Sequence, residues 1–193
     1  LKNIILKENL SNEEGKKDSA ANPLILNRKV EANLISYVQR MQVINHVRGG
    51  DPSFGNARGS NYTLFDNNNV LIKSLKKDII AILEENFKSE IYIYESFTSI
   101  LGEEGGLNRH QHLSKTDKIS ELELARQKYS LVYYLSTGDQ QCSNPGILRL
   151  YNPNQEILPK EGMIIIFSAD RYHSVVYNGK KDRVVIVVNF YSL

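Results

Sequence analysis

The sequence predicts a mainly β fold, a sandwich or barrel, with two α-helices ahead of it. The first observation is a series of short stretches in the second half of the chain that are rich in β-branched and aromatic residues. Turn-forming residues separate these stretches at regular intervals, which is typical of a sandwich or barrel. Two apolar patterns with helical spacing precede them. The predicted strands are Ile91–Leu101, Tyr129–Ser136, Gly146–Tyr151, Gly162–Phe167, His173–Tyr177 and Arg183–Phe190, with a hairpin turn at Asn178-Gly179 before the last one.

The first part of the chain is expected to cover this core. Apolar residues at helical spacing after Asn27 indicate a first helix, and a second helix is indicated from Asn69 to Lys88. Before them, Ile4–Leu6 predicts an edge strand followed by a mobile loop. Turn-forming residues over 49–60 predict an irregular loop, which is a candidate for shaping a substrate entrance.

Length and composition fit one globular domain. The chain has 193 residues, of which 41% are hydrophobic and 24% are charged, so it is long enough to bury a core. We expect a single domain over residues 1–193, in which residues 1–88 pack on a β core at residues 89–193.

Charge and cysteine content exclude several functional classes. A net charge of +2 is too small to indicate binding to nucleic acid or to an acidic membrane. The single cysteine, Cys142, cannot form an internal disulfide, and the chain shows neither a signal peptide nor an apolar run of membrane-spanning length. We therefore expect a cytoplasmic protein.

Three of the four histidines have an order and spacing that suit a metal site. Side chains two residues apart on an extended strand point to the same face, so His110 and His112 can converge on one ion. His173 supplies a third imidazole from much later in the chain. Three protein ligands leave coordination positions open, as a catalytic metal requires. The fourth histidine, His46, has no candidate partner for metal binding nearby in sequence.

A polar insertion follows the histidine pair directly. It covers residues 113–128 and contains a helix-like segment, Ile119–Arg126. Two interpretations stay open for it: a lid over the site, or a surface connection between strands.

Five motifs occur in a fixed order between Glu90 and Tyr191. They are Arg109-His-Gln-His112, Tyr133-Tyr-Leu135, Gly146-Ile-Leu-Arg-Leu-Tyr151, Pro159-Lys-Glu-Gly162 with an apolar strand ending in Phe167, and His173 with Arg183 ten residues later. Together they resemble the Fe(II)- and 2-oxoglutarate-dependent oxygenases, most closely the prolyl-hydroxylase-like branch. The resemblance covers about half of the chain and implies a double-stranded β-helix, or jelly-roll, core. The chain departs from that branch at His112, where these enzymes usually carry aspartate.

The resemblance implies Fe(II) as the metal and 2-oxoglutarate as the co-substrate. Such enzymes activate dioxygen and hydroxylate a C–H bond, in a protein residue such as a prolyl residue or in a small molecule, with succinate and carbon dioxide as co-products. The planar fork of Arg183 suits the far carboxylate of 2-oxoglutarate. By resemblance, Tyr134 would donate its hydroxyl to the same carboxylate. Arg149 and Tyr133, which points to the opposite face from Tyr134, are candidates for substrate contacts, and no catalytic residue is predicted beyond the metal ligands.

His112 leaves three interpretations open. In the first, His110, His112 and His173 all bind iron. In the second, only one of the pair binds beside His173, and a carboxylate such as Asp117 or the co-substrate completes the site. In the third, the site is degenerate and the fold is used for binding only.

Two other functional classes compete with the oxygenase. Three histidines in a jelly roll also describe the cupins, including dioxygenases that use no 2-oxoglutarate. The cupin pattern places a histidine about three residues after Pro-x-Gly, whereas His173 follows Gly162 by eleven residues. A cupin would also give no role to Arg183. The remaining class is a non-catalytic jelly-roll module that binds a ligand or partner.

Overall fold

Two antiparallel β-sheets and two long helices make up the structure, a computed structural model that describes residues 22–41, 44–45 and 56–193. The strands are β1 (Leu24–Asn27), β2 (Ile44–Asn45), β3 (Ala57–Gly59), β4 (Ile91–Leu101), β5 (Gly105–His110), β6 (Lys128–Ser136), β7 (Pro145–Leu150), β8 (Gln155–Ile157), β9 (Met163–Ser168), β10 (His173–Tyr177) and β11 (Arg183–Ser192). The helices are α1 (Ala32–Arg40), α2 (Val70–Phe87) and the short α3 (Leu124–Gln127). The larger sheet has the strand order β1-β9-β6-β11-β4-β3-β2, and the smaller sheet has the order β5-β10-β7-β8.

Strand β11 lies in the middle of the larger sheet, and its side chains pack into two apolar layers, one on each face of the sheet. It pairs with β4 on one side and with β6 on the other. Because side chains alternate along a strand, Val184, Ile186 and Val188 face one layer, while Val185 and Val187 face the other. This is why the strand reads as an almost unbroken apolar run instead of an alternating one.

Helices α1 and α2 cover the outer face of the larger sheet. Leu34 and Val38 of α1 join the same buried cluster as Leu75 and Ile79 of α2 and the outward residues of β11. The side chain of Asn69 caps α2 by accepting a hydrogen bond from the backbone N–H of Leu71, at 2.9 Å. The predictions of a mainly β fold and of two helices ahead of its core are confirmed.

The second apolar layer lies between the two sheets. Leu148 and Leu150 of β7, in the smaller sheet, pack with Tyr134, Ile165 and Val187 of the larger sheet. The facing sheets therefore enclose an interior, and polar residues that point into it are candidates for a site.

Two local predictions are wrong. Asn178-Gly179 does not close a hairpin, because β10 pairs with β5 and β7 whereas β11 pairs with β4 and β6. The segment therefore crosses from one sheet to the other. Part of the expected irregular loop at 49–60 is also regular, since β3 pairs with β4.

Several predictions concern residues outside the described ranges. These are the edge strand at Ile4–Leu6, His46, and most of the loop at 49–60. The single-domain division and the cytoplasmic localisation stay predictions. Among the described residues, no helix is both long and apolar enough to span a membrane.

Candidate functional site

The three histidines singled out in the sequence lie together between the sheets. His110 ends β5 and is the register partner of His173, which begins β10. We expected His112 on the same strand as His110. The strand stops at His110, and His112 lies in the segment after it. Its backbone N–H donates to the carbonyl of Ala169 at 2.9 Å. One nitrogen from each imidazole lies within 4.8 Å of the others, a spacing at which they could hold one metal ion.

Burial keeps these imidazoles neutral. Burial, together with the nearby His110, lowers the pKa of His173 to about 3. The pKa of His112 is held well below 6.5 by burial and by its neighbours His173 and His110, and burial also lowers the pKa of His110. A neutral imidazole offers a lone pair to a metal, whereas a protonated one does not.

The packing around the cluster restricts the rings. The centroids of the His110 and His173 rings are 4.2 Å apart, and the edge of Phe167 contacts His173 with a centroid distance of 4.8 Å. Nε2 of His112 lies 3.2 Å from Nε2 of His173. The three nitrogens therefore converge from two segments that neighbour each other in the fold.

Asp117, a carboxylate that could have joined the ligands, is bound elsewhere. Its side chain is buried and accepts hydrogen bonds from Nζ of Lys128 at 2.7 Å, the hydroxyl of Tyr191 at 2.6 Å and the backbone N–H of Ser114 at 2.6 Å. Burial by itself would raise the pKa of Asp117, but these hydrogen bonds outweigh it and bring the pKa to about 2. In the described part of the chain, no carboxylate belongs to the group of potential metal ligands.

The ion pair between Asp117 and Lys128 anchors the insertion after His112. It contains two 3-10 turns, Thr116–Lys118 and Ser120–Leu122, and the four residues of α3. The helix-like segment expected at Ile119–Arg126 is therefore only a turn and a short helix. The role of the insertion as a lid stays a prediction.

Arg183 and Tyr134 form a second polar group in the same layer. Both side chains are buried, and the guanidinium carbon of Arg183 lies 5.0 Å from the centroid of the Tyr134 ring. Neither Nε of Arg183 nor the hydroxyl of Tyr134 has a hydrogen-bond partner among the described residues. No carboxylate in the described ranges pairs with Arg183 either. Burial lowers the pKa of Arg183 and raises that of Tyr134.

Gly146 makes room for this arginine. Its φ of +79° belongs to the left-handed region, and a Cβ at this position would lie 2.9 Å from Cδ of Arg183. The glycine at the start of the Gly-Ile-Leu-Arg motif therefore has a physical reason, which sequence reasoning did not supply.

Two further candidates lie away from the histidines. Tyr133 packs in the layer under the helices, where its hydroxyl accepts from Arg28 at 2.9 Å and donates to the carbonyl of Lys29 at 3.1 Å. Arg149 pairs with the exposed Glu156, with Nε 2.8 Å from the carboxylate. The structure does not bring either residue to the three-histidine cluster.

Asn189 is a residue of the site that the sequence reasoning missed. It is fully buried on β11, and its side-chain nitrogen lies 3.3 Å from Nδ1 of His112. The sequence did contain one indication of its role, since Asn189 is a single polar residue in the apolar run Val184–Phe190.

A jelly-roll protein with an open three-histidine centre is the class that this fold and site define. Residues 96–191 match the family model of the 2OG-Fe(II) oxygenase superfamily. The chain belongs to this superfamily, whose metal is Fe(II) and whose co-substrate is 2-oxoglutarate. No curated protein sequence matches the chain significantly.

Solved structures show the same fold. HygX from Streptomyces hygroscopicus, with nickel, 2-oxoglutarate and hygromycin B bound, has a TM-score of 0.65 at 11% identity, over 91% of this chain and 84% of that one. A prolyl-4-hydroxylase from Pseudomonas putida has a TM-score of 0.58 at 15% identity, over 83% and 85%. A prolyl hydroxylase from Trichoplax adhaerens, in complex with a peptide fragment of hypoxia inducible factor, has a TM-score of 0.54 at 17% identity, over 77% and 66%. The double-stranded β-helix prediction is confirmed.

Proposed function

We propose that the protein is an Fe(II)- and 2-oxoglutarate-dependent hydroxylase whose iron ligands are His110, His112 and His173 and whose co-substrate is held by Arg183 and Tyr134. One observation carries the proposal: a three-histidine cluster lies in the same interior layer as a buried arginine that has no anionic partner among the described residues.

The histidine cluster fits Fe(II). Imidazole nitrogens suit this ion, and burial keeps all three rings in the neutral form that can donate a lone pair. A set of three protein ligands leaves positions for a chelating 2-oxo acid and for dioxygen. This supports the interpretation in which all three histidines bind.

The second polar group fits a carboxylate. A buried cation without a partner is costly, and an unpaired buried hydroxyl adds to that cost. Arg183 and Tyr134 offer N–H and O–H donors in one place, which is what a carboxylate group of 2-oxoglutarate would need. The unpaired Nε of Arg183 and the unpaired hydroxyl of Tyr134 are thereby both explained.

Each of these residues then has a defined task. The bound iron and 2-oxoglutarate supply dioxygen activation, with transfer of one oxygen atom to a C–H bond and release of succinate and carbon dioxide. The histidines orient the metal, and Phe167 packs against His173 and keeps that ring in place. Arg183 and Tyr134 fix the orientation of the co-substrate, and the apolar layer around them excludes water.

For the substrate, we propose a C–H bond of a protein residue, such as a prolyl residue, or of a small molecule. Both kinds of ligand occur on this fold, since the Trichoplax adhaerens enzyme holds a peptide and HygX holds hygromycin B. Incubation with proline-containing peptides and with small-molecule mixtures should reveal the substrate as a product that has gained one oxygen atom.

The cupin-like and binding-module alternatives make different predictions. A dioxygenase without 2-oxoglutarate leaves the buried charge of Arg183 unexplained, and a binding module leaves the converging imidazoles unexplained. Both alternatives are tested by the metal and co-substrate experiment that follows.

The experiment is an anaerobic titration of the purified protein with Fe(II) and then with 2-oxoglutarate. We expect a weak visible charge-transfer band only when both are present, and succinate release on admission of air. Replacing Arg183 by methionine should weaken 2-oxoglutarate binding by roughly thirty-fold to a few thousand-fold, because removing one partner of a buried charged pair costs about 2–5 kcal/mol.

The matched control is Arg40→Met, which removes an exposed arginine on α1 and should leave the titration unchanged. Iron binding without the band would favour the cupin-like dioxygenase. Absence of iron binding, in a protein that is folded, would favour the binding module.

A further inference from the structure

A carboxylate that the mechanism does not use lies beside the histidine cluster. Glu95 of β4 is the register partner of Asn189 on β11, and Nδ2 of Asn189 donates to the Glu95 carboxylate at 2.8 Å. The same Nδ2 lies 3.3 Å from Nδ1 of His112, so a single amide group separates the carboxylate from the cluster. Asn189 is fully buried whereas Glu95 is partly exposed, so a ligand from solvent can reach the carboxylate.

The described residues do not balance the charge of this carboxylate. Its two oxygens offer about four acceptor sites, and in the described ranges only the amide of Asn189 donates to them. None of the ion pairs between described residues includes Glu95. Lys128, whose ammonium lies 4.5 Å from the centroid of the nearby Tyr94 ring, is already paired with Asp117 at 2.7 Å. Glu95 therefore has acceptor sites left for a donor from outside the chain.

Aromatic rings follow the carboxylate along the same face of β4. Phe97 lies two residues after Glu95 and packs against the layer between the sheets, where its register partner Val187 also points. The ring of Tyr62 contacts the ring of Phe97 edge to face, with centroids 5.0 Å apart, and Tyr62 is 43% exposed. A carboxylate accepts from N–H donors, and aromatic rings attract a cation and pack against its methylene groups.

We propose that Glu95, Phe97 and Tyr62 form a binding site for a cationic group, an alkylammonium or a guanidinium, and that the substrate carries this group. The inference rests on the proposed function, whose substrate class it narrows. Asn189 is a positioning residue that holds the carboxylate. The cation has two sources, a lysine or arginine side chain of a peptide or the amine of a small molecule. In both cases the C–H bond that is oxidised belongs to the cationic end of the substrate.

The test measures binding by isothermal titration to protein loaded with Fe(II) and 2-oxoglutarate without oxygen, so that no probe is turned over. One pair of probes is the blocked tetrapeptide Gly-Pro-Lys-Gly and the same peptide with norleucine in place of lysine. The other pair is n-butylamine and 1-butanol. We expect the cationic member of at least one pair to bind about tenfold more tightly, at the lower end of what hydrogen bonds to charged groups contribute.

The variant is Glu95→Gln, which keeps the size of the side chain and an acceptor for Asn189 but removes the charge. The ratio of cationic to neutral affinity should fall to about one. A purely structural role of Glu95 would change both members of a pair equally and leave that ratio unaltered. The matched control is Glu156→Gln, which removes an exposed carboxylate that pairs with Arg149 and should leave the ratio at its wild-type value.

The outcomes separate this inference from the proposed function. A ratio near one for both pairs in the wild type overturns the inference, even if Glu95→Gln does not fold, and leaves the hydroxylase standing. A preference that persists in folded Glu95→Gln also overturns it. A preference confined to the peptides identifies a peptide substrate, and one shown by n-butylamine identifies a small amine. If the charge-transfer band is absent, the proposed function fails, and the same titrations of the metal-free protein decide whether Glu95 binds cations.

Discussion

Replacing Asp117 by asparagine should destabilise the fold and leave the histidine cluster able to bind metal. The carboxylate and the ammonium group of Lys128 lie 2.7 Å apart, and both residues are only 1% exposed. Removing one partner of such a pair leaves an uncompensated buried charge and costs about 3–5 kcal/mol. Against a total stability of about 5–15 kcal/mol for a typical domain, that loss is easily measured.

The pKa of Asp117 gives a second, independent measure of how much this carboxylate contributes to the free energy of folding. Burial raises it, but hydrogen bonds from Lys128, Tyr191 and Ser114 more than compensate and take it from 3.8 to about 2. Since a tenfold change in an equilibrium constant is about 1.4 kcal/mol, this lowering contributes roughly 2–3 kcal/mol to folding. The folded carboxylate binds its proton less readily than the unfolded one. The contribution is therefore complete above about pH 4 and is lost as the pH falls to about 2.

The assay is urea unfolding of the wild type and of Asp117→Asn between pH 7 and pH 2, with metal stoichiometry measured at pH 7. The stability difference should be constant above about pH 4 and shrink below it. Glu123→Gln is the control, because its carboxylate forms an exposed pair with Arg126 that is worth at most about 1 kcal/mol. An Asp117→Asn protein as stable as the wild type would show that the buried pair with Lys128 does not stabilise the fold. A stable variant that lost its metal would make Asp117 a ligand.

Two further predictions concern the interior of the fold. Tyr134→Phe should weaken 2-oxoglutarate binding by roughly tenfold, because it removes about one hydrogen bond to a charged group. Tyr133→Phe should leave that binding unchanged and lower the free energy of unfolding by about 1–3 kcal/mol. Isothermal titration measures the first effect, and urea unfolding measures the second. Burial holds the pKa of the His173 imidazole at about 3 in the folded protein. As the pH falls, this residue is therefore protonated in the unfolded chain before it is protonated in the folded one. Thermal unfolding of the metal-free protein should therefore show stability falling as the pH drops below about 6.5, and His173→Gln should reduce the slope.

The sequence was sufficient for elements whose pattern is local. The strand Ile91–Leu101 and the helix from Asn69 to Lys88 were predicted almost to the residue, because β-branched enrichment and helical spacing are properties of each segment alone. The convergence of the three histidines was also predictable, since side chains two residues apart in an extended segment point the same way and a third histidine follows on a later strand.

Pairing between strands could not be predicted in the same way. Asn178-Gly179 carries a strong local turn signal, yet Tyr177 pairs with Gly105 and Pro145, while Arg183 pairs with Leu101. Which strand accepts which partner depends on the whole sheet. Asp117 illustrates the same limit, because its pairing with Lys128 depends on how the insertion folds back to bring the two side chains within 2.7 Å of each other.

The roles of buried polar residues depend on contacts from distant segments. Asn189 reads in sequence as one polar residue in an apolar strand, and only its approach to His112 and Glu95 gives it a role. Tyr133 and Tyr134 were correctly expected on opposite faces, since side-chain alternation is a local rule. The residues that each tyrosine would contact could not be predicted from the sequence.

Charge distinguishes the proposed site from one built with an aspartate at position 112. Three neutral imidazoles do nothing to offset the charge of Fe(II), and Arg183 adds another buried positive charge in the same layer. Two positive centres among apolar side chains are poorly solvated and repel each other. Within the described part of the chain, no carboxylate joins either centre, so the two carboxylates of 2-oxoglutarate would be the anions that balance them. The affinities for iron and for 2-oxoglutarate should therefore each rise when the other is bound, since coupling between two ligands is reciprocal.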